Sequence, residues 1–171
     1  MTVPEADERP GSRLRPPANR VNPRARRWWA VRSAVTTMVL LVPQVVVAVA
    51  VARLTTPLLV TGAVTLVLGV IHLLVVPRWR YSLHRWEVTD DAVHTLSGWL
   101  RLEWRIAPIS RIQTVDTDRG PLQRAFSLSS VTVTTASASG ALRIEGLDTD
   151  EAAALAHRLT EVTEAIGGDA T

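Results

Sequence analysis

Two apolar runs dominate the first half of the chain, at residues 34–52 and 57–76, and only four residues separate them. Neither run contains Asp, Glu, Lys or Arg. At ~1.5 Å per helical residue, runs of this length span roughly 30 Å, the thickness of a bilayer's hydrocarbon core. The pattern therefore predicts a transmembrane helical hairpin. A cleaved signal peptide is the alternative for the first run, since Ala48-Val49-Ala50 resembles a cleavage site, but the immediate second span argues against it.

Small and polar residues recur at helical spacing in the second run, at Thr61, Thr65 and Gly69. Such a stripe permits close approach of two helices, and it serves either the hairpin itself or a second copy of the chain. His72 lies about one turn from the end of this run, and an ionisable residue at that depth is a functional candidate by default. Because neither run offers His72 an acidic partner, a proton-relay role is not predicted.

Arginines are unevenly distributed around the two runs. The connecting loop has Arg53, whereas the outer flanks hold Arg20, Arg24, Arg26, Arg27, Arg32, Arg78, Arg80 and Arg85. Short Arg-rich segments remain in the cytoplasm, so the pattern predicts a two-span cell-membrane protein with both termini cytoplasmic. Aromatic residues accompany these arginines, and we expect an interface at the headgroup level formed by Arg26, Arg27, Trp28, Trp29, Arg78, Trp79, Arg80 and Tyr81.

Beyond Arg80 the apolar residues follow a period of two, which predicts short antiparallel strands. The clearest strand is the stretch 99–106. Its even positions, Leu100, Leu102, Trp104 and Ile106, share one face, which we expect to be the buried one.

The last element has the pattern of an amphipathic helix. Asp148 and Glu151 form a capping box, and Gly167-Gly168 ends the pattern. Leu155 and Leu159 lie on the apolar stripe, which we expect to cover the sheet.

These patterns divide the chain into four parts. Residues 1–27 are rich in proline and charge, and we expect a disordered basic cytoplasmic tail. Residues 28–80 form the hairpin, residues 81–167 a strand-rich domain, and residues 168–171 a short tail. The predicted fold class is a membrane α-helical hairpin followed by an α+β cytoplasmic domain.

Three segments of the second half carry a resemblance to a known family. They are residues 108–115, around Arg111-Ile112-Gln113, residues 120–128, which begin with Gly120-Pro121, and residues 131–136. Together they resemble the bacterial pleckstrin-homology-like domain of YdbS-type membrane proteins, and the resemblance extends over roughly residues 30–166. It implies an antiparallel β-sandwich or barrel capped by a C-terminal helix, with no defined activity. Ser127 departs from the family, which usually has Gly at that position.

Composition and charge exclude several functions. The chain has no Cys, so thiolate chemistry is excluded, and all nineteen of its basic residues are Arg. Residues 81–171 carry eight Arg against thirteen acidic residues, so nucleic acid is not an expected partner of this domain. The composition is typical of a bacterial protein from a GC-rich genome.

Candidate chemistry is sparse. The four histidines are scattered without metal-ligand spacing, and no glycine-rich phosphate loop or paired nucleophile and base is apparent. We therefore predict no enzyme activity, metal, cofactor or small-molecule substrate. The polar group that stands out is Arg111, Gln113, Asp116, Arg119 and Arg124. Either Arg111, Gln113 and Arg124 receive a phosphate or a partner's carboxylate. Or Arg111 and Gln113 fasten the strand by bonding backbone carbonyls, and Asp116 pairs with Arg119 or Arg124.

Two functions of different classes remain open. The first is a non-enzymatic, membrane-anchored interaction or scaffold protein, with the lipid bilayer and a membrane-protein partner, or further copies of itself, as its contacts. The second is a sensor of lipid headgroups or envelope stress. A headgroup site needs a basic concave face, and the acidic balance of residues 81–171 favours protein–protein interaction.

Overall fold

The computed structural model describes residues 15–137 and 140–168 of the chain. Two long helices, α1 (Arg24–Ala50) and α2 (Thr55–Leu83), are joined by a 3-10 turn, Ala52–Leu54. Strand β1 (Asn19–Arg20) precedes them. The elements that follow are β2 (Arg85–Val88), β3 (Ala92–Ser97), β4 (Glu103–Pro108), β5 (Ile112–Asp118), α3 (Pro121–Ala125), β6 (Leu128–Thr135), β7 (Leu142–Asp148) and α4 (Thr149–Gly168).

The helices α1 and α2 form the predicted hairpin. Both are long and apolar enough to cross a membrane, and only 6% of the most apolar part of each is buried within the protein. They extend past the predicted spans, because α1 begins ten residues before position 34 and α2 continues seven residues beyond position 76. The apolar runs mark only the part suited to lipid, whereas the extra turns pack against the β-domain.

Close contact within the hairpin accounts for the stripe of small residues. Gly69 lies directly against the side chain of Thr37, and the Gln44 amide donates a hydrogen bond of 3.2 Å to Thr65 Oγ1. Two members of the stripe, Thr65 and Gly69, therefore contact α1 of the same chain, whereas Thr61 is exposed. Gln44 follows Pro43, whose missing N–H interrupts the helical ladder, and the amide bonds across to α2 rather than to a carbonyl of its own helix.

The β-domain consists of two antiparallel sheets and a covering helix. One sheet has the order β1-β2-β3-β4 and the other the order β5-β6-β7. Helix α4 packs on the second sheet, and Leu155 and Leu159 are buried as the sequence predicts. Asp148 caps the start of the helix, since its Oδ1 accepts a hydrogen bond from the N–H of Asp150. The hairpin, the two sheets and the terminal helix agree with the predicted fold class.

The segment ahead of α1 differs from its prediction. Residues 15–27 were expected to be disordered, but Asn19 pairs with Trp86 and Arg20 with Arg85, so this segment supplies the edge strand of the first sheet. Val21 and Ala25 are buried in the main hydrophobic core. The domain boundary at residue 81 is corrected accordingly, because the β-domain includes residues from before the hairpin. Residues 1–14 and 169–171 lie outside the described part of the chain.

The orientation of β4 also differs from its prediction. The strand begins at Glu103, and the face expected to be buried is largely exposed: Leu100 83%, Leu102 55% and Ile106 50%. Ala107, from the opposite face, is buried instead, and Arg105 of that face donates a hydrogen bond of 2.8 Å to the carbonyl of Ala141. Periodicity identifies which residues share a face, but it does not reveal which face meets the core.

Candidate functional site

A partly buried polar group lies where the hairpin joins the β-domain. Arg80, near the end of α2, forms an ion pair of 2.8 Å with Glu145 on β7. The same guanidinium lies 4.8 Å from the ring centroid of Trp29 on α1. Glu145 is held on its other oxygen by Arg143 Nε at 3.3 Å. One half-buried arginine thus connects both membrane helices to the second sheet. We call Trp29, Arg80, His84 and Glu145 the junction.

His84 completes the junction at the residue after α2. Its side chain is buried, and its ring meets Trp29 edge-on at 5.4 Å between centroids. Burial, with a smaller contribution from the positive charge of Arg80, lowers the pKa of His84 to about 4. The imidazole is therefore neutral at physiological pH, since its charged form would lose hydration beside another cation. His84 acts here as a packed aromatic group.

A second set of contacts ties the N-terminal segment to the domain. The N–H of Asn22 donates a hydrogen bond of 2.9 Å to the carbonyl of Gly146, and Arg24 forms an ion pair of 3.3 Å with Asp148. Further along, Arg15 and Glu87 form an ion pair of 2.6 Å. We call residues 15–23 the clasp, because they fasten the start of α1 to both sheets.

The predicted membrane interface divides into two groups. Trp28 and Trp29 are buried in the core, so these two rings hold the hairpin to the domain and do not line a headgroup layer, which corrects the prediction for them. Tyr81 packs against the same core and is only partly buried, and Arg80 lies half-buried in the junction. Arg26, Arg27, Arg78 and Trp79 are exposed, as an interface requires. Arg78 Nη1 also donates a hydrogen bond of 2.6 Å to the carbonyl of Leu74.

The clasp and the start of α1 were missed because charged residues surround their apolar positions. These positions are spaced by four, three and one residues, a spacing typical of a helix that packs on one side: Val21, Ala25, Trp28 and Trp29. This spacing was the available signal. It was hidden by the arginines and prolines that suggested disorder.

The polar group expected to bind a ligand lies along β5 and the turn after it. Arg111, Gln113, Asp116, Arg119 and Arg124 are all exposed. Arg111 and Arg119 stand at opposite ends of β5, so eight residues of extended chain place their backbones ~25 Å apart. The structure therefore does not gather the five residues into one pocket.

Some of these residues have structural contacts. Arg119 Nε donates a hydrogen bond of 3.3 Å to the carbonyl of Leu128, and Asp116 accepts one of 3.3 Å from the hydroxyl of Thr114. The carbonyl of Arg111 accepts the N–H of Ala136 at 3.0 Å. The neighbouring Gln123, which the sequence did not single out, is buried: it accepts the N–H of Gly120 at 2.8 Å and donates to Ser130 Oγ at 2.7 Å. Gln123 fixes the turn from which Arg119 and Arg124 project.

Within residues 15–137 and 140–168, no group of three His, Asp or Glu side chains is arranged to hold a metal ion.

The fold and the junction define a membrane protein that carries a pleckstrin-homology-like domain on a helical hairpin. The chain matches the Bacterial PH domain family over residues 34–163, most of its length, and it belongs to that family. It is 29% identical over 154 residues to the UPF0699 transmembrane protein YdbS of Bacillus subtilis (strain 168), across 86% of this chain and 96% of that protein. No solved structure matches the chain. The resemblance inferred from the sequence is confirmed.

Proposed function

We propose that this protein is a non-enzymatic scaffold that presents its pleckstrin-homology-like domain at the cytoplasmic face of the cell membrane. The observation that carries the proposal is the shared core of the hairpin and the domain. Val21, Trp28 and Trp29 pack with Leu147 of β7 in one cluster, and Arg80 pairs with Glu145 beside it. A domain held in this way keeps one orientation to the bilayer, so the same surface always faces the cytoplasm and its partners.

The proposed topology has two supports. The pairing of β1 with β2 connects the chain before the hairpin to the chain after it, which favours both ends on one side. The arginines before α1 and after α2 favour the cytoplasmic side. A C-terminal fusion to alkaline phosphatase should be inactive and one to a fluorescent protein bright. The reverse pattern would contradict the topology.

The surface proposed for a partner is the outer face of β5. This strand stands at the edge of its sheet, and its side chains from Gln113 to Asp118 are mainly polar and exposed. A mixed surface of this kind suits a protein partner or a second copy of the chain better than an anionic headgroup, because residues 81–171 carry a net negative charge.

Photo-crosslinking in native membranes tests this surface. A photoreactive residue replacing Gln113 should give a discrete adduct, and Asp116→Arg in the same chain should abolish it. The matched control replaces Arg158, which is exposed on α4. An adduct of twice the chain's mass would identify self-association. Absence of any adduct from position 113, or equal labelling from both positions, would contradict the proposed surface.

The sensor alternative makes a different prediction for the full chain. Because residues 15–29 complete the core, the protein should be tested whole in lipid nanodiscs rather than as residues 81–171. We expect no saturable binding of a soluble phosphorylated headgroup analogue, such as glycerol phosphate. Saturable binding that is lost in Arg111→Ala, with unchanged thermal stability, would replace the scaffold proposal with the sensor.

A further inference from the structure

The connection between β3 and β4 forms an apolar projection. Residues 98–102, which we call the β3–β4 tip, contain Trp99, Leu100 and Leu102, all exposed, with Arg101 as the charged member. Gly98 shapes the tip with a φ of +119°, since a side chain at that position would collide with the carbonyl of Arg101. Neighbouring exposed apolar side chains of this kind mark a contact surface.

The tip lies beside a membrane helix. The ring of Trp99 meets the ring of His72 edge-on, with 5.9 Å between centroids and an interplanar angle of 89°. His72 is four residues inside the end of the apolar run on α2, which places it ~6 Å along the helix from that end. It shares a helix face with Trp79, seven residues later. The β3–β4 tip therefore reaches past the exposed Trp79 to the depth of the apolar run.

The residue types of the β3–β4 tip are those that favour the headgroup boundary and the outer acyl region of a bilayer. Indole rings concentrate at the boundary between headgroups and acyl chains. Transfer of a leucine side chain from water to the acyl region lowers its free energy. An arginine between two leucines can extend its charged end toward lipid phosphate. Interfacial segments enter a bilayer by roughly 5–10 Å, a range that includes the depth of His72.

We propose that the β3–β4 tip is a third membrane contact of this chain, in which Trp99, Leu100 and Leu102 enter the leaflet next to the β-domain and Arg101 meets lipid phosphate. The occupant of this surface is the bilayer because the tip is continuous, through His72, with the lipid-facing surface of α2. The proposal rests on the hairpin spanning the membrane. It adds a contact that prevents the domain from tilting away from the bilayer.

The chain has no Cys, so single-cysteine variants can be labelled without background. Three variants of the full protein in phosphatidylcholine–phosphatidylglycerol vesicles suffice: Leu100→Cys, Leu66→Cys in the middle of α2, and Arg158→Cys on α4, outside the surface proposed for a partner. All three original side chains are exposed, so a nitroxide label is tolerated. Collision of each label with oxygen, which concentrates in lipid, and with a water-soluble nickel chelate measures its surroundings. The label at position 100 should have an oxygen-to-nickel ratio well above that at position 158 and approaching that at position 66.

Each other outcome overturns the proposal in a distinct way. An oxygen-to-nickel ratio at position 100 equal to that at position 158, with position 66 still in lipid, would place the tip in water and leave the hairpin intact. Low collision with both reagents at position 100 would show that a protein surface covers the tip. An aqueous label at position 66 would remove the spanning hairpin, and with it both the tip contact and the proposed function.

Discussion

Gly146 in β7 and Ala25 in the first turn of α1 approach so closely that a Cβ at position 146 would lie 2.7 Å from the Cβ of Ala25. This contact sets the distance between the first membrane helix and the second sheet. Gly146 also has a φ of +80°, and its carbonyl accepts the N–H of Asn22. A position that combines positive φ with close approach of another backbone admits only glycine without strain.

The variant Gly146→Ala should therefore lower the free energy of unfolding more than backbone strain alone explains. Gly140→Ala is the matched control, because Gly140 has a φ of +75° with nothing within 4 Å of its Cβ direction. We expect a loss of about 1 kcal/mol at position 140. At position 146 we expect a further loss of roughly 1–3 kcal/mol from overpacking against Ala25. Denaturant unfolding of the protein in nanodiscs measures both, and equal losses would show that the contact with Ala25 is loose.

The hairpin offers a second matched pair of glycines. A Cβ at position 69 would lie 2.6 Å from Thr37 Oγ1, whereas the nearest atom to a Cβ at position 62 is Gln44 Oε1 at 3.6 Å. Gly69→Ala should separate the helices at a cost of roughly 1–3 kcal/mol, and Gly62→Ala should be tolerated. Titration of the purified protein with a denaturing detergent measures the difference. A similar midpoint for the two variants would contradict the close contact at Gly69.

His84 makes stability depend on pH. Its pKa of about 4 in the folded protein lies below the ordinary value of 6.5, so between these values the unfolded chain binds a proton that the folded chain does not. The free energy of unfolding should therefore decrease as pH falls from 6.5 toward 4, by up to roughly 3 kcal/mol. Above pH 6.5 this contribution is constant.

The variant His84→Leu should flatten this part of the pH profile, whatever its effect at neutral pH. His157→Leu is the control, because His157 is exposed on α4 and contacts only Glu161 among its described ion pairs. Thermal unfolding between pH 7.5 and pH 4.5 gives the profiles. A profile for His84→Leu as steep as that of the control would assign the pH dependence to other groups.

Ser127 occupies a turn that favours glycine. Within the described part of the chain, Ser127 is the one residue other than glycine with a positive φ, and its φ is 54°. Ser127→Gly removes the Cβ from the left-handed region, worth about 1–2 kcal/mol, and adds chain entropy that costs about 0.5–1 kcal/mol, so the protein should gain up to roughly 1 kcal/mol of stability. The control is Ser110→Gly, where φ is ordinary and the added chain entropy should cost about 0.5–1 kcal/mol. A lower melting temperature for Ser127→Gly would show that a contact of the Ser127 side chain stabilises the protein by more than the backbone strain destabilises it.

The sequence predicted the elements whose patterns are unbroken. The two apolar runs identified the hairpin, and the regular spacing of Leu155 and Leu159 identified α4 and its buried face, since both signals lie within a single element. The clasp was not predictable in this way. Val21 owes its burial to residues far along the chain, among them Leu147 of β7, and no local pattern specifies so distant a partner.

In the candidate site, too, features set within one element were predictable and contacts between distant elements were not. Arg80 was predicted to be an interface residue from its position beside the apolar run, but its pairing with Glu145 depends on how the second sheet meets the hairpin. Burial of Trp29 follows from that same arrangement. For β4, the alternation of Leu102 and Ile106 correctly grouped the residues, yet the side that faces the core is decided by neighbouring strands.

The clasp also has a consequence for the order of assembly. Asn22 is synthesised before both membrane helices, and its partner Asp148 is made 126 residues later. The ribosome therefore delivers an unpaired edge strand first, then the hairpin and the strand β2 that pairs with that edge strand, and only at the end β7, which receives Asn22. The β-domain closes when the segment before the hairpin pairs with the segment after it. On the proposed topology both segments are cytoplasmic. A chain whose helices have failed to insert correctly is therefore left with an open β-domain.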